Sequence, residues 1–159
     1  MSEEFTLRMA TVEDAERIAG QRRAMFEDMG MTVTDESVTT FIEWVKPKLS
    51  NGDYLGWFVT RGDGEVAAGA GVWHIEWPPT PMDIATTRAY VLNVFVEPNY
   101  RHQGHARRLM DAILAYCAEK RIRVIVLHAS NKGRPLYESL GFRQTNEMRI
   151  VMDYDDPLT

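Results

Sequence analysis

A chain of 159 residues is long enough for one domain with a buried core and too short for two of ordinary size, so a single domain over 1–159 is expected. With 45% hydrophobic and 26% charged residues and no low-complexity tract, its composition is that of a globular protein, neither disordered nor fibrous. A net charge of −5 argues against general nucleic-acid binding, which needs a broad basic surface, and leaves room for a cationic ligand such as an amine.

No apolar run spans a bilayer, and the opening MSEEFTLRMATVEDAE has no apolar leader core, so a soluble cytoplasmic protein without a membrane partner is expected. The one cysteine, Cys117, excludes an intramolecular disulfide or a thiolate cluster. His74, His102, His105 and His128 show no metal-ligand pairing, so no metal site is expected.

Phe5 to Met9 alternates like a short strand, and Thr11 with Asp14 forms a capping-box pattern that opens a helix to about Asp28. Val12, Ala15, Ile18 and Ala19 give that helix its apolar face. A second helix is predicted from about Asp35, with Val38, Phe41, Ile42, Val45 and Leu49 at helical spacing and Pro47 weakening its end. Tyr54 to Arg61 and Val66 to Trp77 read as strands joined through the turn GDGE, and the prolines of Pro78 to Thr87 enforce a loop. Tyr90 to Val96, apolar except for Asn93, predicts a central strand buried on both faces. From Gly104 the period becomes helical to about Lys120, and Arg123 to Ala129 is again a buried strand. Strand, helix and strand at this length imply a parallel pair with a right-handed crossover. A short helix in GRPLYESLGF and a last strand from about Phe142 to Met152 complete a mixed α/β architecture, helices on both faces of one twisted sheet.

The helix entry at EPNYRHQGHARRLM, Glu97 to Met110, breaks the usual charge rule. A helix N-terminus is partly positive and normally collects acids, yet Arg101, His102, His105, Arg107 and Arg108 stand here without one. A buried strand that turns through a glycine loop into a helix presents free amides outward, and Gly104 lets a phosphate approach the backbone. Lys132 and Arg134 at the later short helix form a second basic entry, and the two would flank one polyanion. The bland alternative is a set of solvated charges beside a favourable turn.

These residues resemble a known family. Arg101, Gly104 and Ala106 in RHQGHA are similar to the Q/R-x-x-G-x-G/A signature of the GCN5-related N-acetyltransferases, the GNAT superfamily. Asn131 and the run LYESLGF, Leu136 to Phe142, resemble its second signature. The resemblance implies the family's acyl-CoA N-acyltransferase fold, with a central mixed sheet of about six to seven strands. It implies acetyl-CoA as acyl donor and an amine as acceptor. Carried over by position, His102, Gln103, Gly104, His105, Ala106 and Arg107 form the pyrophosphate cradle, begun by Arg101, and Asn131 joins the cofactor-binding set. Val94, Phe95 and Val96 would bind the pantetheine arm through their backbone, as an added strand does. That requires the strands on either side of the loop to splay, and Asn93 is where a bulge is expected.

The implied chemistry is direct attack of a neutral amine on the thioester, aided by proximity, an oxyanion donor near Val94 and proton transfer. Tyr137 occupies the position where many family members place a tyrosine that protonates the departing thiolate. The base is left among His74, Glu76 and water. Cys117 at a core position and His128 in a buried-looking strand read as structural. Trp77, Asp83, the proline loop and the Met25 to Met31 region are the expected acceptor walls, while the other tryptophans read as core. A primary amine of a small molecule is the leading acceptor. A protein or peptide amine and a non-catalytic CoA-binding sensor are the alternatives, and exposed strand edges offer a route to a homodimer. Ala106 in place of the commoner glycine is permitted by the signature; neither it nor the variable NKGRP segment names the acceptor or its acyl length.

Overall fold

Alternating side chains at Phe5–Met9 (β1), Tyr54–Arg61 (β2), Val66–Glu76 (β3) and Thr87–Val96 (β4) build an antiparallel meander, closed by a short parallel strand, Ile125–Leu127 (β5). The sheet order is β1-β2-β3-β4-β5. These elements belong to a computed structural model that describes residues 4–154. The chain divides into two compact units, Met1–Leu127 and His128–Thr159.

In the first unit the connections decide the pairing. The β2–β3 turn is tight, with Gly64 at φ 90° and the Asp63 carboxylate accepting the Glu65 amide, so those strands run antiparallel. The β4–β5 connection contains a full helix, His105–Glu119 (α3), and those strands run parallel. One face of the sheet carries Ala15–Asp28 (α1) and Asp35–Asn51 (α2), where Ala15, Ile18 and Val45 pack with Tyr54, Phe58 and Val66. The other face carries α3, whose Tyr116 ring lies 5.6 Å from Trp57. Because Trp57 and Phe58 are adjacent on a strand they face opposite sides, so helices cover both faces.

Helix α2 runs through Pro47 to Asn51 and ends at Gly52, which takes the left-handed conformation at φ 84° that a helix C-terminus commonly needs. Two expectations are corrected here. Strand β4 is not buried on both faces: Ala89, Val91, Asn93 and Phe95 are buried, while Tyr90, Leu92, Val94 and Val96 between them are half-buried. β5 covers three residues rather than the expected Arg123 to Ala129.

In the second unit, Arg134–Ser139 (α4) begins with Pro135 in its first turn, and Gly141 at φ 100° follows its end. The expected strand from Phe142 to Met152 is absent among the described residues, so the sheet has five strands and not six to seven. An alternating run becomes a strand only where another edge accepts its backbone hydrogen bonds. Residues 142–154 join no ladder, and Met148, Ile150, Val151 and Met152 are exposed.

Candidate active site

The end of β4 and the start of α3 are joined by a tight connection in which backbone conformation does the work. After a 3-10 turn, Pro98–Tyr100, the chain passes through His102 at φ 64° and Gly104 at φ 83° before α3 begins. The first helical hydrogen bond runs from the Arg108 amide to the Gly104 carbonyl at 3.0 Å. The amides of His105, Ala106 and Arg107 therefore precede the hydrogen-bonded ladder, and Gly104, as N-cap, has no side chain to cap them. A Cβ placed on Gly104 would meet no atom within 4 Å, so the space beside it is open to a ligand. Exposed donors, a helix dipole and open space fit the pyrophosphate of a CoA thioester.

The basic side chains there divide into structural and exposed groups. Arg101 Nε donates to the Val96 carbonyl at 3.0 Å, its Nη2 pairs with Asp28 at 2.8 Å, and its guanidinium stacks on Phe95. Arg108 donates to the Phe5 carbonyl. His105 is buried, packed 4.5 Å from the Phe5 ring and near Tyr100, with Nε2 lacking a hydrogen-bond partner. Burial, helped by the positive Arg108, lowers its pKa and keeps it neutral. His102, Gln103 and Arg107 are exposed at the loop. The donors without a helical partner at this entry are thus backbone amides, and the buried His105 imidazole does not cap them.

Val94 to Val96 lie on a strand whose outer edge is open. Pairing of β4 with β5 ends at Val91 opposite Leu127, so residues 92–96 have no ladder partner on that side among the described residues. On the other side Gly71 faces Leu92 while Gly69 faces Phe95, which places Asn93 and Val94 opposite Ala70 alone. This is the bulge expected at Asn93, which takes φ 60°. Its side chain is held twice: Oδ1 accepts from Arg22 Nη1 at 2.7 Å, and Nδ2 donates to the Tyr54 hydroxyl at 3.0 Å. Tyr54 is fully enclosed, and burial pushes its phenol up to about 12. Gly71 makes room for it, since a Cβ there would stand 2.0 Å from the Tyr54 oxygen. Neither Arg22 nor Tyr54 was singled out from the sequence. The available signal was a lone arginine on the apolar stripe of α1, four residues after Ile18.

Asn131 and Tyr137 belong to the second unit, whereas residues 94–107 belong to the first. Asn131 is exposed in the turn before α4. Tyr137 is buried, 6.0 Å from Phe142, and Gly133 leaves space for its ring, which a Cβ would approach to 2.9 Å. Burial raises its phenol pKa, so it holds its proton at neutral pH.

The other candidates have structural duties. His74 Nδ1 lies 3.0 Å from the Asp53 carbonyl, which only accepts, so that nitrogen carries the proton and Nε2 accepts from the Tyr116 hydroxyl at 2.7 Å. With both nitrogens engaged, His74 has no lone pair for an amine. Glu76, exposed at the end of β3, has no such tie among the described residues. Cys117 is buried and its thiol pKa is raised by that burial, as an inert core cysteine requires. His128 corrects its sequence reading: β5 stops at Leu127 and His128 is exposed. Trp44 and Trp73 pack 5.3 Å apart beside the core under α1 and α2, and Trp77 already stacks with Arg88 at 4.5 Å. Asp83 is buried and bonds the Ala85 amide within its own loop.

A helix entry with uncapped amides beside a bulged strand edge, in an α/β protein, is an arrangement suited to a phosphate-bearing ligand. Residues 18–142 match the acetyltransferase (GNAT) family, and the chain belongs to it. The family's acyl donor is acetyl-CoA, and its members are acetyl-CoA-dependent acetyltransferases. The chain is similar to a GCN5-related N-acetyltransferase from Ralstonia eutropha JMP134, at 34% identity and a TM-score of 0.86 over 94% of this chain and 99% of that one. A predicted acetyltransferase from Clostridium acetobutylicum, solved with acetyl-CoA, is similar at 26% identity and a TM-score of 0.87 over 94% and 96%. An uncharacterized N-acetyltransferase of Bacillus subtilis (strain 168), YhfO, is 33% identical over 70 residues, covering 42% of this chain. That match spans 47% of the relative, about half its length.

Proposed function

We propose that this protein is an N-acetyltransferase that moves the acetyl group of acetyl-CoA to a primary amine of a small molecule within a ternary complex. The observation that carries this is the pairing of an uncapped α3 entry at Gly104 with the open edge of β4 beyond the Asn93 bulge. In this reading the amides of His102 to Arg107 receive the pyrophosphate, and Val94 to Val96 bind the pantetheine arm as a strand would. Asn131 belongs in this reading to the same cofactor-binding set, and residues 1–159 are a single N-acetyltransferase domain, for which the family match across residues 18–142 is the support.

The neutral amine attacks the thioester carbonyl carbon, the carbon–sulfur bond breaks, and the amide forms. The Val94 N–H stabilises the developing oxyanion. Tyr137, protonated at neutral pH as a phenol is and kept so by burial, gives its proton to the departing thiolate. The proton lost by the amine passes to water or Glu76, since both nitrogens of His74 are occupied. Among the described residues no helix is long and apolar enough to cross a membrane, and the one free cysteine suits a cytoplasmic setting.

Calorimetric titration with acetyl-CoA and CoA, followed by thiol release across a panel of small amines and peptides, tests this reading. Binding with thiol release by small amines supports it. Release by peptides alone moves the acceptor to a protein amine, binding without release by any amine leaves a CoA sensor, and no binding ends the cofactor assignment.

A further inference from the structure

Arg22 is a half-buried cation on the inward side of α1. It continues the buried stripe of α1 after Ala15, Ile18 and Ala19, where an apolar residue is expected. Its guanidinium lies between two rings, 4.7 Å from Phe26 of α1 and 4.8 Å from Phe41 of α2. Of its five N–H donors, one is used, by Asn93 Oδ1. No carboxylate pairs with it among the described residues, although the protein has an excess of acids. Glu27 and Asp35 pair with Arg23, Asp28 pairs with Arg101, and Glu97 accepts from Gln21. A guanidinium half-buried without a counter-ion bears a desolvation cost, and that burial lowers its pKa. Bracing Asn93 needs only one donor, which a glutamine would supply without that cost.

We infer that Arg22 is the anchor for a carboxylate on the acceptor, and that the acceptor is an amino carboxylic acid. This rests on the N-acetyltransfer reading above. The planar fork of an arginine matches a carboxylate in two parallel hydrogen bonds, and the ring stack fixes the orientation of that fork. The bond to Asn93 sets its place: Asn93 is the bulge residue and Val94, the oxyanion donor of that reading, is next in sequence. A carboxylate held here therefore brings its amine to the same short stretch of β4. A phosphate group would call for more than one cation, whereas Arg23 is already paired and Lys48 lies over Trp44.

The test is thiol release from acetyl-CoA with the common amino acids, each beside its carboxamide, for the wild type, Arg22→Gln and Arg22→Lys, with acetyl-CoA affinity measured in parallel. The wild type is expected to favour one or more acids over their amides by about tenfold or more in kcat/KM, carried by KM. Arg22→Gln is expected to erase that ratio while acetyl-CoA affinity stays within about twofold, and Arg22→Lys to keep part of it. Equal use of acid and amide by the wild type, or an equal loss for both in Arg22→Gln, overturns the anchor and leaves N-acetyltransfer standing. Absence of acetyl-CoA binding, or of thiol release with every amine tried, overturns the enzymatic reading and the anchor with it.

Discussion

Arg101 Nη2 lies 2.8 Å from Asp28 Oδ2, so the first residue of the glycine-loop motif reaches back to the end of α1. Its Nε bond to the Val96 carbonyl ties the same side chain to the end of β4. Arg101 in this way ties the glycine loop to the ends of both α1 and β4. Arg101→Ala is expected to cost about 1–2 kcal/mol in a denaturant titration, combining a half-exposed ion pair with a bond to a backbone carbonyl. Its loss of acetyl-CoA affinity is expected to stay below about tenfold; a loss of a hundredfold or more would mean that the side chain binds the phosphates directly.

Gly104 separates conformational need from ligand space. At φ 83° an alanine pays the left-handed penalty of about 1–2 kcal/mol, but its Cβ meets nothing in the protein. Gly104→Ala is therefore expected to remain folded with that modest loss of stability. Gly104→Glu, which adds a carboxylate at the amides, is expected to lose acetyl-CoA binding in calorimetry. Retained binding by the glutamate variant would remove the cradle from the α3 entry.

Tyr137 is expected to matter for turnover and little for cofactor affinity. Tyr137→Phe should lower kcat by about a hundredfold or more, the scale of one general acid, with acetyl-CoA affinity within about twofold. The raised phenol pKa places any loss of activity from its deprotonation above the ordinary tyrosine value of about 10. Unchanged kcat in the phenylalanine variant would take Tyr137 out of the mechanism.

His105 gives the fold a pH dependence whose sign follows from its burial. Its folded pKa lies below the unfolded value of about 6.5, so the unfolded chain binds the proton more readily. The stability it contributes is complete above that value and is lost as pH falls through the folded pKa. Denaturant midpoints measured from pH 7.5 down to 5 should fall more steeply for the wild type than for His105→Gln, which retains the backbone amide. Parallel curves would show that His105 titrates as it does in the unfolded chain.

Much of this protein was legible from local pattern. The turn at Asp63 and Gly64, the period change at Gly104, the helical stripe of α3 and the bulge at Asn93 are each dictated by a few neighbouring residues. Glycine at a left-handed position, a lone amide-bearing residue in an apolar strand and apolar spacing act over short range, and they carried the family signature with them. The run from Phe142 to Met152 shows the limit of pattern. Its apolar residues Met148, Ile150, Val151 and Met152 suit a strand by composition, but strand formation depends on a partner edge, which no local sequence encodes.

What tertiary structure decided was the employment of charged and polar side chains. In the sequence, Arg101, His102, His105, Arg107 and Arg108 form one basic cluster. In the fold, Arg101 braces α1 and β4, Arg108 holds the Phe5 carbonyl, and His105 is buried and neutral. Likewise His74, a candidate base by position, is spent between Asp53 and Tyr116, residues 21 and 42 positions away. Arg22 carried no motif at all, yet it meets Asn93 across 71 positions of chain. Backbone conformation is set mainly by neighbours in sequence, whereas a long side chain takes its hydrogen bonds and its protonation state from whatever distant elements the packing brings against it.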